Sequence, residues 1–190
     1  MPVYYDFEVH LSSCQPRMWR RFLLFPAATF QHLHEAIQDA CGWTDSHLFE
    51  FTGSKRSPRN SIAASEYLED SDAPPARKVT LASYFKTHRQ CGYLYDFGDS
   101  WDHVVVLKGK VDLPENFRRR LIGGERNFPP DDSGGLCGYE RCCVAATISE
   151  EQLDSLDDED REDIECLREW LGCWDPEAFD LQAAKKRFDK

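Results

Sequence analysis

The sequence predicts an α+β protein, with a sheet-rich first part and a helical C-terminal third. Three observations carry that prediction. VYYDFEVHL alternates, with Val3, Tyr5, Phe7, Val9 and Leu11 on one face and Tyr4, Asp6, Glu8 and His10 on the other. Phe30, Leu33, Ile37 and Ala40/Cys41 recur at helical spacing. After residue 148 the chain carries helix-start signals at Ser149 and Asp180.

The elements follow in order. Residues 3–11 form a half-buried strand. Cys14-Gln15-Pro16 reads as a turn, and Trp19 to Phe25 as a second strand ended by Pro26. Thr29 is placed to cap the helix that follows, and Gly42 to stop it. HLFEFTG, residues 47–53, is a third strand. Residues 54–78 are polar and rich in Ser, Pro and charge, so they read as a long loop. VTLASYF gives one short helical turn. CGYLYDF and SWDHVVVLKGKVDL are two more strands around Gly98. GGERNFPPDDSGGLCGY, residues 123–139, reads as an irregular, turn-built segment. Ser149 and Gln152 form a capping box with Ile148 and Leu153 as its staple. Ile164, Leu167, Trp170 and Leu171 make the stripe of a second helix ended by Gly172. Asp175-Pro176 resembles another helix start, and Asp180 opens a last helix ending in Lys185, Lys186 and Arg187. The order describes an N-terminal mixed sheet with one crossing helix, compatible with a β-grasp-like arrangement, and an extra hairpin. The expected organisation is a single domain over 1–190. Within it, 1–113 is sheet-rich, and 114–190 holds the Gly/Pro segment and the C-terminal helices.

Composition narrows the function classes. Apolar residues are 41% of the 190, enough for a core, and charged residues are 30%. The formal net charge of -11 argues against nucleic acid, whose binding rests on Lys and Arg. Arg17, Trp19, Arg20 and Arg21 are the one basic and aromatic mixture that could serve it. Arg118, Arg119 and Arg120 read as a solvated turn. No run approaches membrane-spanning length, and the first residues lack a signal-peptide pattern. A cytoplasmic location, with the eight cysteines as reduced thiols, is the expectation. No C-x-x-C pair marks a zinc site. His32 and His34 read as surface or boundary residues, and His47 and His88 as uninformative.

The stretch YLYDFGDSWDH, residues 93–103, concentrates rings and acids around Gly98. A two-residue type II′ turn at Gly98-Asp99 pairs Tyr95 with Asp102 and Leu94 with His103, making Asp96 and His103 neighbours. A three-residue loop instead sets Asp96 opposite Asp102 and gathers Tyr93, Tyr95, Phe97, Trp101 and His103 on one face. A slip of one residue thus exchanges the candidate chemistry.

YLYDFGDSWDHVVVL, GGERNFPPDDSGGLCGY and WLGCWDPEAFDL, together with the N-terminal pattern through ACGW, resemble the plasmid pRiA4b ORF-3-like family. Members of that family occur on plasmids, as insertion-element passengers and in chromosomes. The resemblance implies a shared fold and a link to mobile elements, with no reaction attached. Phe128 and Ser133 stand where many members have Cys, and EEQLDSLDDEDREDIE replaces a His-bearing segment. The chain carries no serine- or tyrosine-recombinase signature.

These readings point first to a non-catalytic accessory or adaptor protein that binds a protein partner. The candidate contacts are Asp157, Asp158, Glu159 and Asp160 with Trp101 and Tyr95, and no cofactor is expected. The alternative is a metal-assisted hydrolase or nuclease. Its catalytic candidates are Asp96, Asp102 and His103, and Asp96, His103, Asp131 and Asp132 would hold a divalent metal.

Overall fold

The computed structural model describes residues 1–12, 14–53, 61–69 and 71–189. Seven strands form one sheet: β1 (Val3–Leu11), β2 (Trp19–Leu24), β3 (Phe49–Thr52), β4 (Ser61–Ala64), β5 (Gln90–Tyr95), β6 (Trp101–Asp112) and β7 (Arg119–Glu125). Their spatial order is β4-β3-β5-β6-β1-β2-β7. Every pairing between these strands is antiparallel, so the sheet is not the mixed, grasp-like one expected. The fold class is α+β. Helix α1 (Phe30–Cys41) packs on one face, α2 (Leu81–Tyr84) is a short turn, and α3 (Gly135–Thr147), α4 (Glu150–Asp154), α5 (Asp158–Leu171) and α6 (Leu181–Phe188) complete the chain.

Alternation builds the core. Phe7 lies opposite Phe22 on β2 and Leu107 on β6, and Val9 opposite Val105, all fully or nearly buried. The other side of β1 is a charged lattice: Asp6 accepts two hydrogen bonds from Arg21, and Glu8 pairs with Arg17 and Lys108. Thr29 starts α1 in extended geometry, and Gly42 stops it with φ 84°, where only glycine is at ease.

Several elements depart from expectation. The polar stretch 54–78 contains β4 and a 3-10 turn at Ala76–Lys78, while residues 54–60 and 70 lie outside the described residues. The Gly/Pro-rich segment is irregular only in its middle: β7 runs through Glu125 into its start, and α3 begins at Gly135. Asp175-Pro176 opens a turn rather than a helix, with the Asp175 carboxylate accepting the Glu177 amide. Trp170 is exposed and does not join the buried stripe of α5. Ile164 instead packs with Ala145 and Leu153 in a small cluster of its own, and Arg168 ties it together through the Ala145 and Ile148 carbonyls.

The arginines also moved inward. Arg20 is only 1% exposed. Its guanidinium donates to the carbonyls of Ala40, Trp19 and Glu125 and lies 3.8 Å from the Phe179 ring centre. No carboxylate pairs with it among the described residues; the C-terminal end of α1 and aromatic faces offset its charge. Burial lowers its pKa to about 10. Arg119 is likewise buried, paired with Asp39 and bonded to the Phe188 carbonyl, so the run 118–120 is no solvated turn. That bond and one from the Leu121 amide to Asp189 fasten the C-terminal end of α6 over the edge strand β7. Among the described residues no helix is long and apolar enough to cross a membrane.

Candidate functional site

The site is organised by Trp43. Once Gly42 ends α1, Trp43 turns into the core, with its ring stacked on Tyr95 at 5.0 Å and edge-on to His103 at 5.3 Å. Its indole N–H donates to the Pro129 carbonyl. One tryptophan thus joins the end of α1, the β5–β6 hairpin and the segment leading into α3.

The hairpin follows neither expected register. Tyr95 pairs with Trp101, Leu94 with Asp102 and Tyr93 with His103. Residues 96–100 form the loop, and Gly98 does not take a left-handed conformation. Asp96 (φ 53°) and Ser100 (φ 57°) do. The physical reason is local. The Asp96 side chain accepts from the amides of Gly98 (2.9 Å) and Asp99 (3.3 Å), a side-chain turn that replaces the tight backbone reversal. The shift puts Tyr93, Tyr95, Trp101 and His103 on one buried face, as in the longer-loop alternative, but leaves Asp102 opposite a leucine.

Asp96 and His103 are therefore not neighbours. His103 is buried, its ring stacked over Phe128 and its Nδ1 within reach of the Trp101 and Tyr93 carbonyls. Burial pushes its pKa down to about 4. Those carbonyls require a proton on Nδ1, so Nε2 carries a lone pair, and it has no partner. His103 is packed in the core, outside the group formed by His47, Asp96 and Asp132. Tyr95 and Trp101 are also buried and present no contact face to a partner. Asp157 caps α5 by accepting the Asp160 amide, and Asp158 pairs with Arg161.

The two acidic loops nevertheless meet. Asp131 accepts from the amide (2.9 Å) and hydroxyl (2.5 Å) of Thr44. Asp99 accepts from the Gly134 amide at 3.0 Å. With the segment so fixed, Asp132 Oδ1 comes 2.8 Å from His47 Nε2, and Asp96 Oδ2 lies 3.6 Å from the same nitrogen. His47, Asp96 and Asp132 each offer an atom, all within 4.8 Å of one another. Asp96 is held by its Oδ1, so its Oδ2 is the atom left to face the cluster. Asp131 belongs to the supporting ring around the cluster. Asp45 (φ 57°), Asp96, Ser100 and Asp132 (φ 61°) all adopt left-handed backbone around this one place. Such conformations cost about 1–3 kcal/mol each and persist where surrounding contacts impose them.

His47 is the residue that sequence reading missed. The available signal was its place: a histidine in a polar Thr-Asp-Ser segment, between a glycine-stopped helix and a strand. The cysteines are unpaired, and among the described residues they form no metal-holding group. Desolvation of the half-buried Cys41 thiol raises its pKa to about 12.

Residues 3–183 match the family described as plasmid pRiA4b ORF-3-like protein. A relative from Sinorhizobium fredii (strain NBRC 101917 / NGR234), the uncharacterized protein y4hQ, is 33% identical over 141 residues. That match covers 73% of this chain and 70% of the relative. The crystal structure of MM3350, a protein of unknown function from Methanosarcina mazei Go1, superposes with a TM-score of 0.77 at 30% identity, covering 96% of each chain. With its fold and nearly its whole length accounted for, the chain belongs to the plasmid pRiA4b ORF-3-like family.

Proposed function

We propose that the protein is a cation-dependent binding protein. His47, Asp96 and Asp132 take one divalent cation, and the ion's open positions receive an oxygen ligand from a macromolecular partner. The observation that carries this reading is the convergence of one imidazole and two carboxylates, from three separate loops, within 4.8 Å. One nitrogen with two carboxylate oxygens suits Mn²⁺ or Zn²⁺. Asp132 is 67% exposed, which favours an ion shared with a docked surface over one enclosed in a reaction chamber. Asp157 and Asp158 at the start of α5 are engaged in capping and local pairing, so partner contact is better placed at the cation.

A second reading is metal-assisted hydrolysis. Three protein ligands leave positions for water, the pattern of a catalytic rather than a structural metal. Calorimetric titration of chelator-treated protein with Mn²⁺ and Zn²⁺ tests the common premise. One ion per chain is expected, with binding lost in Asp96→Asn and Asp132→Asn. An unchanged melting temperature and no heat for either metal would end both readings. Turnover of a simple phosphodiester by the metal-loaded protein, absent in Asp96→Asn, would favour hydrolysis.

A further inference from the structure

A cavity of about 310 Å³, walled by Leu24, Phe25, His32, Glu35, Asp45 and Arg118 among others, shares no residue with the cation cluster. That volume is within the range of small-molecule sites. Charges of both signs line it: Glu35, Asp39 and Asp45, and Arg118 and Arg119, of which Asp39 and Arg119 pair with each other. His32 Nδ1 accepts the Thr29 amide at 3.1 Å, which places the ring proton on Nε2. Arg118 Nη2 lies 3.5 Å from that Nε2. Two N–H donors therefore stand side by side without an acceptor between them. Phe25 holds both: its ring lies edge-on to His32 and under the Arg118 guanidinium. Burial, aided by the Arg118 and Arg119 charges and opposed by Glu35, lowers the His32 pKa, which favours the neutral ring.

Asp45 is held as firmly. Asp45 accepts from His34 Nε2 at 2.6 Å, and its amide donates to Gln38 Oε1 at 3.0 Å. His34 and Gln38 both bond the buried Tyr93 hydroxyl, so the Asp45 carboxylate is positioned from within the core. Glu35 lies one turn along α1 from His32. Neither Glu35 nor Arg118 has an ion-pair partner among the described residues.

We propose that this cavity binds a small amphoteric molecule, an amino acid or dipeptide. Its carboxylate sits on Arg118 and His32, and its ammonium group lies between Glu35 and Asp45. A simple anion would meet the carboxylates of Glu35, Asp39 and Asp45, and a simple amine would meet Arg118 and Arg119. Only a ligand carrying both charges is attracted at both ends. Leu24 and Phe25 supply apolar surface for its side chain.

The test is calorimetry and thermal shift on the full chain, with the amino acids, a set of dipeptides, acetate and methylammonium. At least one zwitterion is expected to bind at least tenfold more tightly than acetate or methylammonium. Arg118→Ala and Asp45→Asn should each weaken it about tenfold. Asparagine tolerates the left-handed backbone at position 45, so that variant keeps the loop. Acetate binding as tightly as any zwitterion would make this a simple anion site and overturn the proposal. So would methylammonium binding equally well, the absence of any shift across the panel at millimolar concentration, or an Arg118→Ala variant that binds unchanged.

Discussion

His47 Nε2 lies 2.8 Å from Asp132 Oδ1, across 85 positions of sequence. A proton on that nitrogen satisfies Asp132 without any ion. A cation at the cluster must take the nitrogen lone pair and displace the proton. Metal affinity should therefore fall as the pH is lowered. Titration of His47→Gln with Mn²⁺ and Zn²⁺ checks its part, and an affinity equal to that of the parent chain would remove His47 from the ligand set.

Gly138 should control the same cluster from the first turn of α3. A Cβ there would come 1.6 Å from the Ser133 carbonyl oxygen, a backbone atom that no rotamer change can move. Gly138→Ala must shift the segment next to Asp132. The expected result is a stability loss of about 1–3 kcal/mol together with weaker cation binding. Gly109→Ala is the control, since its Cβ would meet nothing within 4 Å. Thermal denaturation and metal titration of both variants make the comparison.

Arg20 should be irreplaceable by lysine. Its flat guanidinium reaches three carbonyls while stacked on Phe179, and an ammonium group has neither the span nor the face. Arg20→Ala is expected to cost about 3 kcal/mol or more, with Arg20→Lys recovering less than half. The loosened segment should be the one around Phe179, visible as faster amide exchange there. A fully stable lysine variant would contradict the assignment.

His103 should make the protein acid-sensitive. Burial lowers its folded-state pKa to about 4. The unfolded ring takes its proton first, near its ordinary value of about 6.5. Between those two values the unfolded state holds more protons, so stability rises with pH. The contribution is fully present above about pH 6.5 and is lost progressively on acidification towards pH 4. Its size is about 3 kcal/mol. Urea denaturation at pH 7 and pH 4.5 should show a smaller drop for His103→Gln than for the parent chain. His10 and His32 are shifted in the same direction, so the difference between the two proteins isolates the buried ring.

The sequence by itself determined the periodic elements and their ends. α1 with its Gly42 stop, the Ser149 capping box and the Asp180 start of α6 each rest on contacts within a few residues, and β1 announces itself by strict alternation, all of which a linear pattern can encode. It also marked PPDDSGG and the hairpin as the acidic segments of interest. Only the tertiary structure decided which of their residues meet. The hairpin register depends on the Asp96 side chain binding its own loop. The partner of Asp96 and Asp132 is His47, brought there by an indole hydrogen bond between positions 43 and 129. The inward turn of Arg20 and Arg119 escaped the sequence for the same reason. Their carbonyl, aromatic and carboxylate partners belong to helices and strands distant along the chain, and alternation alone cannot show that a charged side chain has been compensated.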